Sequence, residues 1–504
     1  MTGPRGASST SLDDVIPGRQ YYHVNRRTAK PIRHATEEAG SHFFFSTSRA
    51  ARPRGSTWTP PERIKVVESE SPEDGTMSSK PIALVNARVI GADRAVIENG
   101  ALVIRDGVIV DVGTRGSVEI PEDAEVIDVG GRTVMPGLID AHMHLTGMRT
   151  GDLVKEPLIT PFGVFIARAV RDLEALINAG FTTIGDAGSL VALHLKYAVA
   201  EGSVTGPRIV AAGLPLSQTF GHGDVHYLPV EWVDYRTTRK LTPLATLICD
   251  GVDECRKAAR YALREGADYI KIMTSGGVLS EKDRPEYVQF TLNEIRAIVE
   301  EAEAAGRFVH AHAQGSKGIM NAIEGGVKVI AHAIFMDDEA IEEAKERSVI
   351  VIPTFSIVER LLEIGAEAGI PEWGLKKAEE VHEIHVENIR RAYRAGVKIA
   401  AGTDFIGGPF KHGENALEIQ LLVERIGMSP MEAIIAATRN AAEAVGLASR
   451  IGTLTKGKLA DVIVVDGNPL VDVKILREAD KILMVIKEGV IVKDLLRATQ
   501  RARR

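Results

Sequence analysis

The chain has 504 residues, too many for one compact core of ordinary size, so several domains or one large barrel with additions are expected. Hydrophobic residues make up 44%, charged residues 26% and aromatic residues 5%, the profile of a soluble globular protein. A net charge of -7 gives no global reason to expect nucleic acid or anionic lipid as a partner.

Residues 1–78 are rich in Ser, Thr, Pro, Arg and Gly, have little aliphatic periodicity, and are expected to be a disordered extension. "SHFFFSTS" is the one sticky spot in it. Arg26-Arg27 resembles a twin-arginine signal, but a polar stretch follows where an apolar run is required. No window approaches the roughly 18 consecutive apolar residues of a spanning helix. The two cysteines, Cys249 and Cys255, match neither a disulfide framework nor a zinc ribbon. A cytoplasmic setting and no membrane partner are expected.

Order is expected to begin near Met77. "ALVNARVI", "GALVIRDGVIVDVG" and "AEVIDVGGRTVMPG" alternate as short strands within 79–136. The same vocabulary returns as "ADVIVVDGNPL" and "ILMVIKEGVIV" within 451–495, before the basic tail 496–504. One small β-sandwich built from both chain ends accounts for both. Between them, 137–450 alternates strands and helices. Eight apolar runs end in polar residues: "VMPGLIDAH", "TTIGDAG", "RIVAAG", "DYIKIMTSGG", "RFVHAHAQG", "VKVIAHA", "VIVIPTF" and "VKIAAGTD". Helical patterns lie between most of them, with Gly near their ends. The fold class expected is α/β, a (β/α)8 TIM barrel, whose catalytic groups sit at the C-terminal strand ends.

Polar residues at those ends form a constellation. His142 and His144 close the first strand, where alternation puts both on one face. Lys271 lies on the fourth strand, His310 and His312 on the fifth, His332 on the sixth and Asp404 at the end of the eighth. Singly, each has an ordinary explanation: a hydrogen-bonded histidine, a lysine packing its stem, an aspartate capping a helix. Together at buried-strand positions, where unpaired charge is costly, they point to a metal centre.

The pattern resembles the amidohydrolase superfamily over about Pro81 to Lys493. "GADYIKIMTSGGV", "AHAQGSKGI", "PTF" and "AGTDFIGGPFKHGENALE" are similar to its imidazolonepropionase-like branch, which contains Xaa-Pro dipeptidases (prolidases), molinate hydrolase and ochratoxin amidohydrolases. The resemblance implies a carbamate on Lys271, formed from carbon dioxide, bridging two divalent ions. His142, His144 and Asp404 would hold one ion, and His312 and His332 the other. Nitrogen and oxygen donors without thiolate suit zinc, with manganese, cobalt or nickel as alternatives. The implied activity is hydrolysis of a small-molecule amide or dipeptide, with Asp404 catalytic and a homo-oligomeric assembly. Gln314 stands where the branch commonly has a second histidine. His222, Tyr287, His310 and Gln314 are expected near substrate, and Arg284 or His226 could bind an anion. Two alternatives are a mononuclear deaminase or cyclic-amide hydrolase, which usually lacks the strand-four lysine, and a non-catalytic barrel relative, which would lack ligands.

Overall fold

The computed structural model describes residues 80–238 and 240–497. The extension 1–78 and nearly all of the basic tail therefore lie outside the described residues.

Both chain ends build one eight-stranded sheet. Ile82–Ile90 pairs antiparallel with Val96–Arg105 and parallel with Glu125–Asp128 and Thr133–Pro136. Thr133–Pro136 in turn pairs with Val462–Val465, which continues through Ile482–Lys487 to Val490–Asp494. Period-two alternation explains why these strands stay together. Val462, Val464, Met484 and Ile486 join Leu84, Leu102 and Ile109 in one small core. Ile463, Val465, Ile482 and Val485 face the other way and join the main core. The strands read from both chain ends as one small β-domain are joined by their hydrogen bonding into a single sheet of eight strands.

The insert has eight principal parallel strands with helices between them: Leu138–Met143, Phe181–Asp186, Arg208–Ala211, Ile270–Met273, Val309–Ala313, Val329–His332, Ile350–Ile352 and Lys398–Ile399. In the helices, apolar residues recur at helical spacing. Ile295, Ile298, Val299 and Ala302 are buried on Leu292–Ala304, which starts at a Thr291/Glu294 capping box. In the strands, Ile209, Ile270, Ile272, Val309, Ala311, Ile330 and Val351 belong to the cluster packed with the helices. Val210, Tyr269, Val329, Ile350, Ile352 and Ala400 form a separate cluster, closed by Ala441, Val445 and Ile451. Lys271, His310 and His312 alternate with the helix-facing residues, so they occupy inward positions that a packed interior would give to apolar side chains.

The arrangement is TIM-barrel-like, but the ladders do not close into one barrel. The first three strands form one sheet, and the remaining five form a second with two short strands, Leu216–Ser217 and Leu247–Ile248. The break has a local cause. The third strand is interrupted at Gly213 (φ +68°) and Pro215, which has no N–H for a ladder. It resumes as Leu216–Ser217, which pairs with the fourth strand at Ile272. Backbone hydrogen bonds outside the ladders span both gaps: Asp268 N–H to Ala211 O (2.8 Å) across one, and Ala141 N–H to Ala401 O (3.0 Å), Asp404 N–H to His142 O (2.7 Å) and His144 N–H to Phe405 O (2.8 Å) across the other. Among the described residues, no helix is long and apolar enough to cross a membrane.

Candidate metal centre and active site

The parallel register sets the depth of each side chain. Lys271 lies opposite His310, Met273 opposite His312, and Ala313 opposite His332. Lys271 and His310 therefore sit one layer below His312, and only the long lysine stem brings an amine up to the others. Lys271 is 2% exposed, and its Nζ lies 3.5 Å from His142 Nε2.

His142 Nε2 and His144 Nε2 stand 3.3 and 3.2 Å from the same Asp404 oxygen, Oδ1. Ligand atoms of these three residues all lie within 4.8 Å of one another, a group that could hold a metal ion. His332 lies beside it, its ring 5.3 Å from His142 and 4.7 Å from His312 between centroids. The structure thus brings together all six residues read from the sequence as ligands, with His142, His144 and Asp404 the tightest set.

One nitrogen of each imidazole is held by a partner other than Asp404. His144 Nδ1 donates to Gly188 O (2.9 Å), which turns Nε2 to Asp404, and His332 Nδ1 contacts Thr354 Oγ1 (2.8 Å). His312 Nε2 donates to Gly276 O (3.1 Å), which frees Nδ1. His142 Nδ1 bonds His310 Nε2 (2.9 Å). Metal-binding histidines characteristically have the second nitrogen held in this way. Burial pushes the pKa of His142, His310, His312 and His332 well below the ordinary histidine value, so these rings are neutral at neutral pH. Burial opposes charge on His144 as well, but its hydrogen bond to Asp404 outweighs this and raises its pKa. Burial likewise works against ionised Asp404, yet the bond from His144 and the charges of His332, His144 and Lys271 bring it down to about 2. Burial brings Lys271 down to about 7 against the opposing charges of Asp404 and Asp186.

Backbone strain accompanies the site. His332 (φ +73°), Thr354 (+59°) and Asp404 (+59°) all adopt the left-handed region, which is costly for residues with a Cβ and concentrates at functional sites.

Three residues outside the sequence reading hold the centre. Asp140 is buried and accepts from His142 N–H (3.1 Å), Thr403 N–H (3.2 Å), Thr403 Oγ1 (2.7 Å) and Asn415 Nδ2 (2.6 Å), tying the first strand to the eighth. Asp186 accepts from Leu145 N–H (2.7 Å) and Gly188 N–H (3.1 Å), which fixes the carbonyl that receives His144. His385 Nε2 donates to His332 O (2.8 Å). Their signal in the sequence was a polar residue inside an apolar run, as in "LIDAH" and "TTIGDAG".

A cavity of about 510 Å³ opens over the centre. His142, His144, Lys271, His312, His332 and Asp404 line it, together with the apolar Leu228, Trp232, Leu279, Ile357, Leu361 and Trp373. His222, His226 and Gln314 also line it. The His222 ring stacks on His312 at 4.1 Å, and the buried Gln314 Oε1 has no hydrogen-bond partner. Three of the sequence candidates stand away from the cavity lining. His310 is not among the lining residues, because it lies a layer deeper, behind His142 and stacked on Tyr269. Tyr287 is 45% exposed and contributes its backbone, accepting from Gly276 N–H, rather than its ring. Arg284 points to solvent beside Glu286 and Glu380.

Residues 133–492 match the model of the amidohydrolase family. The chain belongs to that family. It is 36% identical over 470 residues to an ochratoxinase from Aspergillus niger, covering 89% of this chain and 93% of that one. The crystal structure of A. niger ochratoxinase superposes with a TM-score of 0.76 at 35% identity, covering 82% of this chain and 96% of that one. A prolidase complexed with N-methylphosphonate-L-proline gives a TM-score of 0.75 at 35% identity over 82% of this chain and all of that one. An imidazolonepropionase from Symbiobacterium thermophilum is 28% identical over 404 residues, covering 74% of this chain and 85% of that one. The family and branch read from the motifs are those to which the chain is similar.

Proposed function

We propose that this amidohydrolase is a binuclear metal enzyme that cleaves a carbon–nitrogen bond, with an N-acyl amino acid or aryl amide as substrate class and an Xaa-Pro dipeptide as the nearest variant. The scaffold proposed for it is a (β/α)8 barrel over 137–450 with a β-sandwich from 79–136 and 451–495. The observation that carries the reading is the donor set. His142, His312 and His332, kept neutral by burial, and His144, hydrogen-bonded to Asp404, gather with an ionised carboxylate and a buried lysine whose amine is neutral in a large fraction of molecules near pH 7. An uncharged amine can add carbon dioxide, whereas an ammonium cannot. A carbamate on Lys271 would supply two anionic oxygens between the ions. His142, His144 and Asp404 would hold one ion and His312 and His332 the other, zinc fitting best.

When bound, such a pair supplies a hydroxide at neutral pH and polarises the amide carbonyl. The residues of the chain do the rest. Asp404 takes the proton released on attack and passes it to the nitrogen as the C–N bond breaks, giving a carboxylate and an amine. His222 and Gln314 present polar atoms to the substrate amide. The apolar wall around Trp232, Leu279 and Trp373 receives a bulky carbon-rich group and keeps water from the reacting atoms.

The test joins composition to turnover. Elemental analysis is expected to find near two transition metals per chain, and a panel of N-acyl amino acids, aryl amides and Xaa-Pro dipeptides is expected to yield amine products. One metal per chain with only deamination or lactam opening would favour a mononuclear cyclic-amide hydrolase instead.

A further inference from the structure

His222 is held by a relay that the metal chemistry does not use. Its Nδ1 lies 3.0 Å from Ser280 Oγ and 3.4 Å from Asp283 Oδ2. The Ser280 hydroxyl donates to Asp283 Oδ1, so its oxygen can only accept from the ring. Proton accounting therefore places a hydrogen on Nδ1. Asp283 is fully buried, and its remaining contacts are Gly277 N–H (3.2 Å) and Gln289 Nε2 (3.4 Å). Gln289 closes the loop by accepting from His222 N–H (2.8 Å). Burial would raise the Asp283 carboxyl, but the bonds from His222 and Ser280 hold it well below the ordinary carboxylate range.

The ring is closely packed. It stacks on His312, and a Cβ placed on Gly277 would fall 2.3–2.9 Å from three of its atoms, so the glycine leaves the room that the ring fills. Lys377 fastens the same loop from the helix Glu372–Ala395, donating to Ser280 O (2.5 Å), Asp283 O (2.6 Å) and Gly277 O (3.3 Å). Among the described residues His222 Nε2 has no hydrogen-bond partner, and the side chain keeps 19% of its surface open and lines the cavity.

We propose that Ser280 and Asp283 are positioning residues for turnover, locking His222 in the form protonated on Nδ1 so that Nε2 is the atom offered to substrate. This rests on the hydrolase reading above, in which His222 meets the substrate amide.

The test uses the metal-loaded full chain labelled with ¹⁵N-histidine. Long-range proton–nitrogen correlation spectra of the wild type and His222→Asn identify the His222 ring, which is expected to carry its proton on Nδ1. Ser280→Ala keeps the Asp283–Gly277 bond that supports the loop. It is expected to admit the Nε2-protonated form and to lower kcat/KM roughly 10- to 100-fold on the best N-acyl amino acid, with metal content unchanged. A double variant, His222→Asn with Ser280→Ala, is expected to be no slower than His222→Asn alone. A wild-type ring protonated on Nε2, an unchanged ring in Ser280→Ala, or additive losses would overturn the proposal. Should no amide in the panel turn over, the hydrolase reading fails while the spectra still decide the tautomer.

Discussion

Replacing Lys271 with methionine isolates what its burial costs the protein. The lysine lies among buried strand residues and is itself 2% exposed, so methionine keeps most of the packing and removes the ionisable end. Burial lowers the amine from 10.5 to about 7, a difference of about 5 kcal/mol between charged and neutral forms. The sign follows from proton binding. Between pH 7 and 10.5 the unfolded chain binds a proton at this residue that the folded chain has given up, so the lysine's contribution to stability improves as pH rises. Its penalty is full below about pH 7 and gone above 10.5. Metal-free Lys271→Met is therefore expected to be more stable than metal-free wild type by about 5 kcal/mol at pH 7 and by only about 2 kcal/mol at pH 9. Calorimetric melting of both proteins at the two pH values reads this directly, while the metal-loaded variant is expected to be inactive. A gap of equal size at pH 7 and pH 9, or a variant less stable at both, would refute the account of a neutral buried amine at the centre.

Three further outcomes follow from the site. Asp140→Ala strips the acceptor from four buried donors and is expected to destabilise the chain by roughly 3–5 kcal/mol. It is also expected to weaken metal retention about 10- to 100-fold in a chelator competition. Gly277→Ala puts a methyl group 2.3 Å from His222 Cε1; it should lower kcat/KM while elemental analysis finds the metals still present. Gln314→Leu removes a buried oxygen that has no partner within the protein. It should leave thermal stability nearly unchanged and raise KM about fivefold, one hydrogen bond's worth, and an unchanged KM would remove Gln314 from the substrate's reach.

The six residues read as ligands were legible because strand alternation and the fold's functional end act together. A charged or imidazole side chain at the C-terminal end of a buried parallel strand has few partners except other such ends, and His142, His144, Lys271, His312, His332 and Asp404 do converge. Alternation reports which face a residue occupies but not how deep it sits along the strand. "VHAHA" repeats the spacing of "AHMH", and spacing alone does not separate His310 from His312; only the resemblance of "AHAQG" to the branch's motif chose His312. Register does: His310 pairs across from Lys271 and ends behind His142, while His312, two residues on, reaches the cavity. The same limit hid Asp140, whose partners Thr403 and Asn415 lie 263 and 275 residues away. It also hid Asp283 and Ser280, which read as ordinary loop residues until His222 is seen against them. Tyr287 was illegible for a different reason, since a loop's side-chain direction is set by local turns, here one that leaves the residue 45% exposed and spends its carbonyl on Gly276. What the strand ends encode is the set of groups that can bind metal; what the loops and the layer beneath encode is the orientation of those groups. Substitutions at Asp140 and Ser280 therefore probe that second set of instructions with every metal-binding side chain left in place.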